Sequence, residues 1–493
     1  MPYDVSATRA ETQKTGAERR GPMRPAHLKT ARSRLGGGAL ARLVQASDLA
    51  ILFIAAWTRV GARSLDGAAW LLIAGASLIA VALVAIHAYE LSARETLHRH
   101  LYKVVAAVGG AVLMLLAFAR FGPPQASASA IVQVVDWCLP VAALLCVSHL
   151  IWFSYIRHLR ARGRLTPNLM IVGATPAAER FIAAALASRD ANILCVFDDR
   201  GARRPKHILG VPVIGRTSDL KTHYLLPYVD RIVVAVPGGA TERIAELIAS
   251  LAPVPNAVSL LVADFDPESE HRTQERLLDM PLSHLAGAQR GALQSVLKRA
   301  MDIAFSAAGL VFLAPALVAI AVAIRLDSPG PIFFRQRRHG YLNEEVVVWK
   351  FRSMKTEMTD HTASRQVTAD DDRVTRVGAF LRRTSLDELP QLLNVLRGEM
   401  SLVGPRPHAI GMLTNGDEAS KLVETYAHRH RMKPGLTGWA AVNGSRGPVD
   451  TADAVRRRVS LDLEYIDRQS VWLDLAIIAR TLPCVLGDTT AVR

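Results

Sequence analysis

Long unbroken apolar blocks dominate the first third of the chain, near residues 41–60, 68–88, 103–120 and 130–156. Each approaches the roughly 17–25 residues a helix needs to cross a bilayer, which predicts a bundle of four transmembrane helices over residues 38–160. Arg42 and Asp48 interrupt the first block. Residues 1–37 have no apolar period and no compact block of the kind a cleaved signal carries, so a disordered cytoplasmic tail is expected there. From Asn168 the pattern shortens to the β-rich runs NLMIVG, NILCVFDD, VPVIG, RIVVAVP and SLLVAD, with helical or loop stretches around Ala177–Ala187 and Glu242–Leu251. This alternation predicts a parallel, Rossmann-like α/β domain over residues 165–270. A charged and then glycine- and alanine-rich stretch over residues 271–296 reads as a linker.

A fifth apolar segment, residues 301–324, would reach about 36 Å as one straight helix and could span a membrane. Two features oppose a crossing. Lys298 and Arg299 flank one end while Arg325, Arg335, Arg337 and Arg338 flank the other, so the positive-inside rule keeps both ends on the cytoplasmic side. Pro315 near the middle removes a backbone donor and bends the helix. A re-entrant helix satisfies both; a true crossing would put everything after it outside. The same rule places the tail (Arg19, Arg20, Arg24, Lys29, Arg32, Arg34), the second loop (Arg94, Arg99, Lys103) and the exit (Arg157, Arg160, Arg162, Arg164) in the cytoplasm. The loops around Arg63 and Gly122-Pro123-Pro124 are then external. Near the C-terminus, Trp472, Leu475, Ile478 and Ala479 share one helical face, suited to the membrane surface or to a domain core.

Composition supports a membrane protein: 493 residues, half of them apolar, with a net charge of +15. The basic residues crowd the edges of apolar runs, without an aromatic-basic ladder or zinc-finger spacing, which favours membrane lipids over nucleic acid as the partner. Cys138, Cys146, Cys195 and Cys484 lack metal-ligand or disulfide spacing.

Candidate chemistry concentrates in Arg382–Pro407, RRTSLDELPQLLNVLRGEMSLVGPRP. Ser385 suits a helix N-cap, which would put Asp387 and Glu388 in a first turn that favours negative charge. Arg382 and Arg383 just before it would hold an anionic ligand beside a carboxylate able to attack it or bind its metal. The same Ser-Leu-Asp-Glu pattern also reads as an ordinary capping box, although Pro390 makes the helix start irregular. Gly404-Pro405-Arg406-Pro407 forms a stiff loop presenting one guanidinium. Strand alternation over Val346–Met354 puts Lys350 and Arg352 on one face, where two cations could hold a diphosphate. Asp370, Asp371 and Asp372 could supply Mg²⁺ oxygens or form a polar loop. In the Rossmann-like region the turn Gly173-Ala174-Thr175-Pro176 lacks the Gly-x-Gly-x-x-Gly fingerprint, though Asp198 or Asp199 could grip a ribose. A regulatory or assembly module is the preferred reading of that region.

RRTSLDELPQLLNVLRGEMSLVGPRPHA, preceded by VWKFRSM and followed by KPGLTGWAAVNG, resembles the bacterial sugar transferase domain of the monotopic phosphoglycosyl transferases over about Leu297–Leu486. The resemblance implies a mostly helical catalytic domain at residues 297–493 that moves a sugar 1-phosphate from a UDP-sugar to undecaprenyl phosphate and releases UMP. It implies Asp387 as the attacking carboxylate, through an aspartyl phosphosugar intermediate, and Glu388 as the ligand of Mg²⁺. Lys350, Arg352 and Arg406 are the candidates for phosphate charge. The family usually has Ser-Pro at the membrane break, where this chain has Ala314-Pro315, so no role for that serine carries over. The Pro-Arg-Pro-His-Ala variant is most similar to the undecaprenyl-phosphate glucose phosphotransferases of exopolysaccharide assembly, implying UDP-glucose, with UDP-galactose close behind. Large members share four membrane helices and a degenerate Rossmann-like domain, in the bacterial inner membrane with a cytoplasmic catalytic part; a homo-oligomer stays open. Two rivals are a membrane-anchored nucleotide-sugar dehydratase, which would need an intact glycine fingerprint and Tyr-x-x-x-Lys, and a non-enzymatic scaffold.

Overall fold

The computed structural model describes residues 37–60, 69–90, 95–121, 128–201, 204–221, 223–236, 241–261, 274–277, 280–286, 292–356, 371–410, 413–414, 417–447, 449 and 451–487. The expected tail, the two external loops, Arg94 and Asp370 lie outside the described residues.

The first compact unit is a bundle of α1 (Gly37–Val60), α2 (Ala69–Ala85), α3 (Leu97–Phe121) and α4 (Ala128–Ala161). Three stretches, Gly38–Arg59, Leu97–Ala117 and Val135–Ala161, are long and apolar enough to cross a membrane; the apolar stretch in α2 is shorter, Leu72–Ala85. Phe53, Trp57, Leu113, Leu139 and Ile151 point outward while Leu52, Leu83, Val104, Ala111 and Leu145 fill the interior, the arrangement expected where lipid is the solvent. Asp48, which breaks the first apolar run, forms part of a polar layer between that interior and a smaller cluster of Leu40, Val44, Ile156 and Leu159. Its carboxylate lies 2.9 Å from His149 Nε2, and His149 Nδ1 lies 2.9 Å from His100 Nε2. With Asp48 accepting from Nε2–H, His149 Nδ1 becomes the acceptor and His100 the donor.

In the second unit, an eight-stranded sheet runs in the order β3-β4-β2-β1-β5-β6-β8-β7, where β1 is Asn168–Val172, β2 Asn192–Phe197, β3 His207–Ile208, β4 Val211–Gly215, β5 Arg231–Val234, β6 Ala257–Leu261, β7 Gln274–Leu277 and β8 Met280–Ala286. Strands β4, β2, β1, β5 and β6 are parallel, as the alternation predicts. Buried side chains cover both faces, with α5 (Pro176–Ser188) on one and α6 (Thr241–Leu251) on the other. The linker expected at residues 271–296 is corrected: β7 and β8 extend the sheet antiparallel from β6. An open edge on β6 would leave backbone groups unpaired, and β8 fills them while burying Leu282.

The remaining elements are mostly helical. Helices α7 (Ala292–Phe312) and α8 (Ala314–Asp327) meet at a 61° bend, with Pro315 in the first turn of α8, where its missing donor costs nothing. Val311, Phe312, Val318 and Leu326 stand exposed along this wedge. Both of its ends are tied to the same domain. Lys298 at the base of α7 donates to Asp474 (2.8 Å) and to the Val403 carbonyl (3.0 Å). Arg352 donates to the Ser328 and Pro329 carbonyls past the end of α8 at 2.6 and 2.7 Å. Lys298, counted above as a flanking surface charge, is thus a buried ion pair. Helix α11 (Val471–Gly487) turns Leu473, Ile477 and Ile478 to the core and leaves Trp472 81% exposed, so of the face expected from Trp472, Leu475, Ile478 and Ala479 only Ile478 joins that core.

Removing His149 would strand a buried carboxylate without its donor, a loss of about 3–5 kcal/mol. His149→Leu is expected to lower the unfolding midpoint of the bundle in denaturant titrations far more than Asp48→Asn, which keeps an acceptor for the ring.

Candidate active site

Helix α9 (Arg376–Thr384) starts at Thr375, whose hydroxyl accepts from Gly378 N, and stops at Ser385, which takes a left-handed conformation with φ 55°. A single 3₁₀ turn, Leu386–Glu388, follows, and Pro390 then heads α10 (Gln391–Leu396). Ser385 thus occupies the N-cap position of this turn, with Asp387 and Glu388 in the turn as its sequence context suggests, but its side chain does not cap it. Its hydroxyl accepts from Arg446 Nη2 at 2.6 Å instead. No full helical dipole faces the acidic pair; its charge is balanced by side chains.

The side chains come from two other segments. β10 (Glu345–Phe351), the partner of β9 (Phe333–His339) in a hairpin, carries Lys350, whose Nζ lies 2.7 Å from Glu388 Oε1. Arg406 follows β11 (Ser401–Val403) and grips the same carboxylate with both ends of its fork, at 2.6 Å to Oε1 and 3.2 Å to Oε2. Asp387 and Glu388 are both buried, yet the Asp387 carboxylate receives no hydrogen bond from any described residue. Burial pushes Asp387 above the usual carboxylate range, Lys350 opposes this, and Glu388 adds to it. Burial acts on Glu388 in the same sense, but Arg406 and Lys350 outweigh it and hold that carboxyl well below its ordinary value. The pair is thus split: one carboxylate spent in ion pairs, its neighbour unpaired and basic.

The other expected site residues divide. The charge of Arg382, in the last turn of α9, acts on Asp387, while Arg383 is exposed. Arg352 is not brought to the pair; its guanidinium is spent on the end of α8. Asp371 chelates Arg373 and Asp372 is exposed. Arg338, counted by sequence among the charges flanking the apolar segment, faces the site: burial and the neighbouring Arg406 lower it to about 10, while Glu388 and Asp387 act in the opposite sense.

Sequence spacing also missed what holds Arg406. Fully buried Arg429 donates to the Arg406 carbonyl at 2.8 Å and to Asp462 at 2.7 Å, and lies 2.9 Å from His408 Nδ1. The Lys433-Pro434-Gly435 turn leads into β12 (Gly435–Thr437), parallel to β11, and its role is backbone contact. A Cβ on Gly435 would sit 2.1 Å from Gly404 N, and one on Gly404 2.5 Å from the Lys433 carbonyl, so only glycines let the two chains meet there.

Among the described residues no group of three or more His, Cys, Asp or Glu could hold a metal ion. Mg²⁺ commonly takes one or two carboxylates and completes its shell with substrate phosphates and water; Asp387 offers such a carboxylate, whereas Glu388 would join it only by exchanging Lys350 or Arg406 for the ion.

A reaction that needs Asp387 ionised and Lys350 charged will rise with pH as the raised Asp387 carboxyl loses its proton. It will fall again as Lys350, lowered by burial, loses its own below the usual lysine range. Glu388→Gln removes the neighbouring negative charge, so the acid limb of the pH–rate profile is expected to move to lower pH.

Two family models match the chain, one described as bacterial sugar transferase over residues 293–488 and one described as CoA-binding domain over residues 68–261. Coenzyme A does not fit the turn after β1. Asp198 Oδ2 accepts from Ala174 N at 2.6 Å, where a diphosphate would need that amide, and Asp199 is spent on Thr217 and Arg243. Among curated proteins, a UDP-glucose:undecaprenyl-phosphate glucose-1-phosphate transferase of Xanthomonas campestris pv. campestris is 41% identical over 284 residues, 57% of this chain and 58% of that protein. One of the same name from Escherichia coli is 44% identical over 240 residues, 49% of this chain and 51% of that protein. The chain thus spans little more than half the length of these two relatives. The exopolysaccharide production protein PSS of Rhizobium leguminosarum bv. phaseoli is 50% identical over 187 residues, 38% of this chain and 94% of that protein. Since that relative is matched over nearly its whole length, the chain belongs to the bacterial sugar transferase family.

Proposed function

We propose that the protein transfers glucose 1-phosphate from UDP-glucose to undecaprenyl phosphate and releases UMP, the step that starts an exopolysaccharide. The observation carrying this reading is the division of labour in the acidic pair: Glu388 clamped by Lys350 and Arg406, and Asp387 beside it buried, unpaired and basic. The names of the relatives supply the substrates, and the apolar wedge supports a lipid acceptor.

The donor diphosphate enters against Lys350, Arg406 and Arg338, whose charges oppose the charge that builds up in phosphoryl transfer. An Asp387 oxygen attacks the sugar-linked phosphorus. The phosphorus–oxygen bond to the UMP phosphate breaks, and its electron pair leaves with UMP. A lipid phosphate oxygen then attacks the same phosphorus and displaces the carboxylate, restoring Asp387 and giving the sugar diphospholipid. Glu388, exchanging Lys350 or Arg406 for the ion, would hold Mg²⁺ with Asp387 beside it, and the ion would supply positive charge against the diphosphate and the leaving group.

Both ends of the bent α7–α8 pair are anchored to one domain, which supports a re-entrant segment that dips into one leaflet and returns. With α2 as a fourth, short crossing, the catalytic domain would lie on the cytoplasmic side of the inner membrane, where nucleotide sugars are made.

With UDP-glucose, undecaprenyl phosphate and Mg²⁺, the wild-type protein is expected to release UMP, and Asp387→Asn to lose on the order of 10³-fold or more of the rate. With UDP-glucose radiolabelled in the sugar and no lipid acceptor present, the label should become attached to the wild-type protein as UMP leaves, and not to Asp387→Asn. UMP release without any labelled protein would refute the aspartyl intermediate.

A further inference from the structure

We propose that Asn394 is a positioning residue that sets Lys350 against Glu388 by acting as a third strand for β10; the proposal rests on the transfer reading above. β10 pairs with β9 along one edge only. Its other edge is closed by one side chain: Asn394 Oδ1 accepts from Trp349 N at 3.0 Å, and Nδ2 donates to the Val347 carbonyl at 2.8 Å. The second Nδ2 hydrogen goes to Glu399 at 2.5 Å, and Asn394 is fully buried. A carboxamide offers one donor and one acceptor at the spacing of a peptide unit, so it can satisfy the two groups that a neighbouring strand would.

The placement of this clamp gives it a consequence for the site. Trp349 directly precedes Lys350, and Asn394 lies on α10, the helix that opens just after Glu388. Around this clamp, Val346 and Val348 of the hairpin share one apolar cluster with Leu392 and Val395 of α10, and the Arg397 guanidinium at the end of α10 lies 5.4 Å from the Trp349 ring centroid. Apolar packing has no direction and tolerates small slides, whereas two hydrogen bonds to one strand set its register. Lys350 Nζ can then sit 2.7 Å from Glu388. Aspartate cannot replace Asn394, because an ionised carboxylate only accepts and would face both the Val347 carbonyl and Glu399.

The test measures the acylation rate of Lys350 by an amine reagent in the intact, detergent-solubilised protein by mass spectrometry, with exposed Lys421 as reference. Asn394→Leu is expected to raise Lys350 labelling about tenfold relative to Lys421, because the amine leaves its buried ion pair. In UMP release, Asn394→Leu should lower kcat about tenfold to a hundredfold in the wild-type background. It should cost less than about twofold once Lys350→Met is present, since the two changes then share one effect. Equal losses in both backgrounds, or unchanged labelling of Lys350, would overturn the proposal. If the leucine variant does not fold, Asn394→Ser carries the same two measurements. A wild-type protein that releases no UMP would refute the transfer reading instead, and the labelling would still decide the role of Asn394.

Discussion

A carboxylate taken out of water is costly unless charge and hydrogen bonds replace its hydration, and the C-terminal, sugar-transferase-like part of the chain is arranged around that requirement at Glu388. Its two counter-charges arrive from separate segments, Lys350 from a hairpin strand and Arg406 from the loop after β11. The ion pairs therefore exist only once the hairpin, the 3₁₀ turn and the loop have come together. Asp387, next to Glu388 and equally buried, is left with a different character because both cations are engaged by its neighbour.

Much of the surrounding structure serves to keep these three segments in place. Gly404 and Gly435 let two backbones approach more closely than any side chain would permit, which seats the Pro-Arg-Pro loop on β12. Arg429 holds the Arg406 carbonyl and is neutralised by Asp462, so the presenting loop is fixed from behind by a second buried ion pair. Arg352 and Lys298 do for the bent α7–α8 pair what Arg429 does for the loop, tying its two ends to the domain that carries the acidic pair.

The preceding parts of the chain follow simpler rules. In the bundle, apolar side chains face both inward and outward, and one polar layer of Asp48, His149 and His100 interrupts the packing. In the Rossmann-like sheet, Asp198 and Asp199 are turned on the chain's own loops, which accounts for a nucleotide-binding architecture without its glycine cradle.

Features that depend on neighbours in the chain were legible in the sequence. Apolar blocks located the bundle helices, short β-rich runs located the parallel strands, and a proline between apolar stretches marked the bend at α7–α8, because each depends on local period or local backbone chemistry. The acidic pair and Arg406 could be picked out from one contiguous stretch. Strand alternation, by contrast, grouped Arg352 with Lys350, and only the tertiary structure sent one to a helix end and the other to Glu388. The same holds for Ser385, whose left-handed backbone overrode a good capping pattern, and for β7 and β8, whose charged sequence looked like a linker until the open edge of β6 recruited it. Arg429, Asp462 and Asn394 meet their partners only through packing, since residues far apart in the chain leave no periodic trace of the bond they will make.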